Sequence, residues 1–338
     1  MHRPLSPPAG LNGAGQRARP GSAGKEHLVH GPNGTAPCPV LTRTARRDAP
    51  FLTDPPVSEG FDESTDSADQ PAVSITDSVL SHTEFLQPTR YCDWTHPTIQ
   101  ALAQALTARC STEREKATTL FAWVRDHIAF EVGNWNRTAS ETLAAGGGTC
   151  TNKANLLVAT ARAVSIPAGY HVMHVKGQDY LGPVVPDTLR TRISRRSTHV
   201  YVTMCLHGQW LRCDPTDDKA FANATAHLNP QSRLVEWEGT SDTLLDLDPS
   251  HILDEQGPLS TIDHMLARKP RIGRRTVQLG NLYVQFLREQ AGSIRRLEAL
   301  EPAFVRCLRT RSLGYCVLYN LLWVWQTLRT AMRRARGR

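Results

Sequence analysis

The chain has 338 residues, with 39 Lys+Arg against 32 Asp+Glu, a formal charge of +7 and a pI near 9.1. Its 40% hydrophobic content supports a real core, and the length admits one large domain with extensions, or two domains. Eight scattered cysteines with no C-x-x-C pair argue against a small disulfide scaffold, and the arginine excess, mostly in the second half, comes with no nucleic-acid motif, so no nucleic-acid partner is expected.

Residues 1–72 are rich in Pro, Gly, Ser and charge and show no apolar period, which predicts a disordered N-terminal extension. Met1-His2-Arg3-Pro4-Leu5 is not followed by an apolar h-region, so the expectation is no signal peptide and a cytoplasmic chain with reduced thiols. Folded structure is expected from Val73, first as a short strand or lead-in reaching Leu86. Pro97 to Thr107 reads as a helix with Ile99, Leu102, Ala103 and Leu106 on one face. Thr112 and Glu115 form a capping-box pair ahead of Ala117, Leu120, Phe121, Val124 and Ile128 at helical spacing. Ser140 to Ala145 predicts a short helical turn.

The run Gly146-Gly147-Gly148-Thr149-Cys150 then leads into a helix whose inner face holds Ala154, Leu157, Val158 and Ala161, ending before Ile166-Pro167. Cys150 falls in its first turn, where unpaired N–H groups and the helix dipole favour an anion. Such a site lowers a thiol's pKa and makes it a better nucleophile. Tyr170 to Val175 predicts a strand. Residues 176–197 predict a long loop, carrying Arg190, Arg192, Arg195 and Arg196 to the rim of a cleft. His199 to Leu206 and Gln209 to Cys213 alternate as a hairpin turned at His207-Gly208, which sets His199 and Asp214 as near cross-strand neighbours.

Further on, Leu234-Val235-Glu236-Trp237 predicts a strand. Leu253 to Leu266 predicts a short helical segment, Val277 to Leu287 a helix, and Ile294, Leu297, Leu300 and Phe304 another. Leu313 to Leu328 is strongly apolar and flanked by arginines. At about 16 residues it is short for a membrane span, which needs about 20. A helix docked on the core or on a partner fits it, and so does an interfacial helix on a membrane surface.

A cysteine nucleophile needs a base and a group that orients the base. The order of Gly148-Thr149-Cys150 with Ala154-Asn155-Leu156-Leu157, Ala161-Arg162-Ala163 with Ile166-Pro167-Ala168, His199-Val200-Tyr201-Val202 and Trp210-Leu211-Arg212-Cys213-Asp214-Pro215-Thr216 resembles the transglutaminase-like superfamily over about 117–215. The resemblance implies an α+β, papain-like core, with the catalytic cysteine at a helix N-terminus packed on an antiparallel sheet, and a helical C-terminal extension. It implies the triad Cys150, His199 and Asp214, acting on an amide (peptide, isopeptide or Gln side chain) or a thioester through a thioester acyl-enzyme. Backbone N–H of Cys150 is an expected oxyanion donor, with Trp135, Asn134 or Asn136 as a second. Ser165 departs from the family by standing where a helix-ending glycine is common. The expected domains are 1–72, a catalytic domain at 73–265 and a basic helical extension at 266–338.

The expected partner is a protein, peptide or acyl-thioester substrate. The chemistry calls for no cofactor and no metal. Cys205, Cys213 and His207 read as hairpin packing, and the glycine run lacks the Gly-Lys-Ser/Thr of a phosphate loop. The alternative is a catalytically silent module that keeps the fold, associated with a membrane surface or partner through 313–338.

Overall fold

The computed structural model describes residues 82–336, apart from 181 and 230–232. The tract expected to be disordered, and the first part of the expected lead-in, lie outside the described residues; Glu84–Leu86 is a single 3-10 turn.

The first helices start where the sequence offers a cap. α1 (Pro97–Thr107) has Pro97 at its first position, and the His96 ring accepts from the Thr98 N–H. α2 (Glu113–His127) and α3 (Ala139–Ala145) each carry a full capping box, Thr112 with Glu115 and Thr138 with Glu141. Each such cap contributes about 1 kcal/mol. A two-residue strand, β1 (Ala129–Phe130), pairs in parallel with β2 (Gly147–Gly148), which ends beside the first residue of α4 (Cys150–Ala163).

α4 is the centre of the first apolar core. It packs against β4 and α1–α3 and is buried on every side, polar residues included. Most of its buried polar residues find partners, the exception among the described residues being the Asn155 amide, which has none. Lys153 Nζ donates to the Arg125 carbonyl at 3.0 Å, and Thr160 Oγ1 donates to the Leu156 and Leu157 carbonyls. Arg162 donates to the carbonyls of Ala168, Ser260 and Gln87, tying the helix end to the sheet. The helix stops in a Schellman motif: Ile166 N–H bonds to Ala161 O and Ser165 N–H to Arg162 O. Ser165 takes the left-handed conformation there, at φ 65°. The missing family glycine is thus filled by a residue that carries some backbone strain.

The sheet holds β3 (Ala168–Lys176), β4 (Arg196–Leu206), β5 (Gln209–Cys213) and β6 (Ile252–Leu259), all antiparallel, in the order β5-β4-β3-β6. The β4–β5 hairpin turns through His207 (φ 51°) and Gly208 (φ 83°), both left-handed, as a two-residue hairpin requires. Residues 176–197 are a connection containing two helical turns, α5 (Gly177–Tyr180) and α6 (Asp187–Arg190).

Three expectations after the hairpin are corrected. Leu234–Trp237 forms no strand; Val235 and Trp237 are buried without a ladder, Trp237 against Phe121 and the Val235 carbonyl on Arg125. Half of Leu253–Leu266 is the edge strand β6 (to Leu259), and helix appears only from Asp263, in α8 (Asp263–Arg268). Ile294–Ala299 is irregular with a 3-10 turn, and the helix expected there begins at Leu300. α7 (Lys219–Thr225) follows the hairpin, and α9 (Arg274–Gln290), α10 (Leu300–Arg311) and α11 (Leu313–Arg336) complete the fold.

These last helices share a second apolar cluster with α7 and with Val184, around Tyr283, Phe286, Phe304 and Tyr319. α9 is bonded to the earlier part of the chain at two points. Asn281 exchanges both side-chain hydrogen bonds with the backbone of Val132, at 2.7 and 2.9 Å. Arg288 pairs with Asp218 at 2.6 Å and donates to the Phe130 carbonyl.

Candidate active site

Cys150 is the first residue of α4, and its position is fixed from both sides. Thr149 caps the helix, accepting from Asn152 N–H, while the Asn152 side chain accepts from Thr149 N–H. The same Asn152 amide donates to the Trp135 carbonyl at 2.9 Å, pinning the upstream loop beside the cysteine. Cys150 is a half-buried residue with a free thiol. It sits at the positive end of a buried helix.

β4 brings His199 to α4. The hairpin pairs Val202 with Cys213, so Asp214 lies one step past the last pair and reaches His199 diagonally. The Asp214 Oδ2 to His199 Nε2 distance is 2.6 Å, with both side chains at most 2% exposed. The other Asp214 oxygen accepts from Thr216 N–H at 3.0 Å, which holds the carboxylate in place.

The charges of the three residues are mutually dependent. Burial alone would push the Cys150 thiol up; His199, the Val200 backbone amide and Thr151 outweigh it and hold the thiol below the ordinary cysteine value. Burial alone would lower the imidazole; the Asp214 carboxylate, with Cys150, holds it well above the usual histidine range. Burial would raise Asp214, and His199 with the Thr216 N–H holds it below the usual carboxylate range. The arrangement favours thiolate, imidazolium and carboxylate together.

Two residues that no sequence period marks also reach the site. Tyr180, at the end of α5, has its hydroxyl 2.9 Å from His199 Nδ1, the ring nitrogen not used by Asp214. Burial first, then the Cys150 and Asp214 charges, raise the phenol well above its usual value, so it stays neutral. Lys269 follows α8. Its Nζ lies 4.4 Å from the centroid of the Trp135 ring and donates to Thr198 Oγ1 at 2.9 Å. Burial lowers the ammonium's pKa and the nearby Cys150 charge raises it, which sets this cation close to the nucleophile.

The three residues expected to serve the oxyanion differ in their freedom to do so. Asn134 Oδ1 accepts from Ile272 N–H at 3.1 Å. Trp135 gives its carbonyl to Asn152 and its ring face to Lys269. Asn136 is partly exposed on the same loop. A cavity of about 140 Å³ touches His199 and Asp214 and is otherwise lined by Met173, Tyr201, Glu255 and the apolar Leu244, Leu245, Leu247 and Ile252 side chains; Cys150 does not line it. Among the described residues, no three His, Cys, Asp or Glu side chains are grouped to hold a metal ion.

An α+β core with a cysteine at the N-terminus of a buried helix, facing a histidine on an antiparallel sheet, defines a papain-like architecture. Residues 100–215, about a third of the chain, match the transglutaminase-like superfamily. Two solved structures are similar. One is a candidate cysteine protease from Cytophaga hutchinsonii, at 24% identity and a TM-score of 0.33, over 43% of this chain and 45% of that one. The other is a candidate protease from Parabacteroides distasonis, at 15% identity and a TM-score of 0.27, over 41% and 26%. The chain thus spans less than half of either, and the family assignment rests on the superfamily match. No curated protein matches the sequence significantly.

Proposed function

We propose that the protein is a cysteine-dependent acyl-transfer enzyme that opens an amide or thioester through Cys150, His199 and Asp214. The observation that supports this reading most is the solvent-shielded 2.6 Å His199–Asp214 pair next to a thiol at a helix N-terminus.

In this reading Asp214 holds Nε2–H and leaves Nδ1 to exchange a proton with the thiol. Cys150 Sγ attacks the carbonyl carbon, the C–S bond forms and the π electrons move to oxygen. The Cys150 N–H, which no helical carbonyl accepts at this position, faces the oxyanion. Collapse breaks the bond to the leaving group, which takes the Nδ1 proton, and a thioester remains on Cys150. Water or an amine then attacks, gives its proton to Nδ1, and expels the thiolate. Lys269 adds positive charge where the thiolate and oxyanion form. Tyr180 competes for Nδ1, so its hydroxyl must release the ring when the thiol engages it. The connection at 176–197, which carries Tyr180, is the natural selector of the acyl group.

The test is to trap the acyl-enzyme. Incubation with a pool of peptides and thioesters, followed by peptide mass spectrometry, is expected to find an acyl mass on Cys150. None is expected in Cys150→Ala. Acylation confined to other cysteines would reject the assignment.

A further inference from the structure

The last helix is apolar on two opposite faces. One, with Tyr315, Cys316, Tyr319 and Leu322, is packed into the second apolar cluster. The other carries Leu313, Val317, Leu321, Val324, Leu328 and Met332. Their spacings of four, four, three, four and four residues place them on one line along the axis. All six are exposed, from 46% at Val324 to 70% at Leu313. At about 1.5 Å per residue the stripe is roughly 28 Å long, and an apolar surface of that extent facing water calls for a partner.

Charge selects the partner. From Ala303 to Arg338 the chain has eight arginines and no acidic residue. Trp325 borders the stripe, and the Arg329 guanidinium lies 5.1 Å from the centroid of its indole ring, a pairing of two residue types that favour the boundary between headgroups and acyl chains. No helix among the described residues is long and apolar enough to cross a membrane, so the helix has to lie in the surface plane. Pairing with a second copy would bring two acid-free, arginine-rich helices together at the cost of like-charge repulsion. Residues 1–72 have no apolar period to match the stripe.

We propose that α11 seats the protein on an anionic lipid surface, with the Leu313–Met332 stripe among the upper acyl chains and the arginines on the acidic headgroups. This seating is independent of the acyl-transfer reading, because none of its residues belongs to the Cys150 site.

Flotation of the full chain with vesicles tests it. Binding is expected to phosphatidylcholine vesicles containing phosphatidylserine, at least about tenfold stronger than to pure phosphatidylcholine, and weakened by salt. The double variant Leu321→Ser, Val324→Ser is expected to lose about tenfold or more in binding. Both side chains are exposed, so its circular dichroism and Cys150 alkylation rate are expected to stay those of the parent. Equal binding to both vesicle types, or binding unchanged in the double variant, would overturn the proposal. So would a stable dimer in sedimentation that the double variant dissolves, since the stripe would then belong to a second copy.

Discussion

The segment matched by the superfamily and the helices that follow it solve different problems. Residues 100–215 carry Cys150, His199 and Asp214 on local structure: one capped helix and one hairpin. The region after residue 266 contributes none of these three residues, yet it sets Lys269 on the Trp135 ring and Thr198, bonds Asn281 and Arg288 to the core, and ends in a helix with an open apolar face. The first region thus sets what chemistry is possible. The second supplies charge and contacts around it and, in the seating proposed above, the surface on which it works.

The comparison breaks most visibly in the first region. Asp214→Asn removes the charge that holds His199 protonated, so the thiolate loses its partner. Turnover on the acyl donor identified by trapping is expected to fall about 10²–10⁴-fold. Loss of less than about threefold would place the orienting role elsewhere.

In the second region, Arg288→Met leaves Asp218 without its paired guanidinium in a site where that carboxylate is 5% exposed. A loss of about 2–3 kcal/mol in urea unfolding is expected. Burial would raise Asp218, but Arg288 and the Phe130 and Phe221 N–H groups hold it low. A depressed carboxyl contributes stability above its unfolded pKa and loses it as pH falls through the folded value. The variant is therefore expected to flatten the acid side of the stability curve. An unchanged acid limb would show that α9 is not held by this pair.

Two substitutions sharpen the division at the site itself, with opposite signs. Tyr180→Phe removes the hydroxyl competing for Nδ1 and is expected to speed Cys150 alkylation about fivefold, the equivalent of one hydrogen bond. Lys269→Met removes a cation near the thiolate and is expected to slow it about threefold at low salt, less at high salt. A slower Tyr180→Phe would make the phenol a support for the imidazole rather than its competitor. The smallest expected effect is Ser165→Gly, which relieves a left-handed serine and is expected to stabilise the fold by about 0.5–1 kcal/mol in the same urea assay.

What the sequence made legible has a common cause. The Thr112–Glu115 box, the Cys150 helix and the His207-Gly208 turn are written in residues close together in the chain, and the triad rides on them. Tyr180 and Lys269 were not legible, because their contacts depend on a 19-residue separation from His199 and on a loop returning from beyond α8. β6 read as helix because Leu253-Asp254-Glu255-Gln256 has no β-branched alternation; its strand form comes from pairing with β3, which a single segment does not announce. Leu234–Trp237 read as a strand because Val235 and Trp237 alternate, but they dock singly, without ladder partners. The domain limits at 265 and 266 remain a proposal, since α8 belongs with the first apolar cluster while α9 to α11 share the second.

Cys110 provides a reference inside the molecule, being the other partly exposed free cysteine among the described residues. Site-resolved iodoacetamide alkylation of Cys150 and Cys110, followed by peptide mass spectrometry from about pH 5 to pH 9, tests the central claim most directly, since an unperturbed thiol loses about tenfold in rate per pH unit below roughly 8.5. The account predicts that Cys150 is alkylated faster than Cys110 at the acid end, and that Asp214→Asn moves the Cys150 profile up. Parallel profiles for the two cysteines would contradict it.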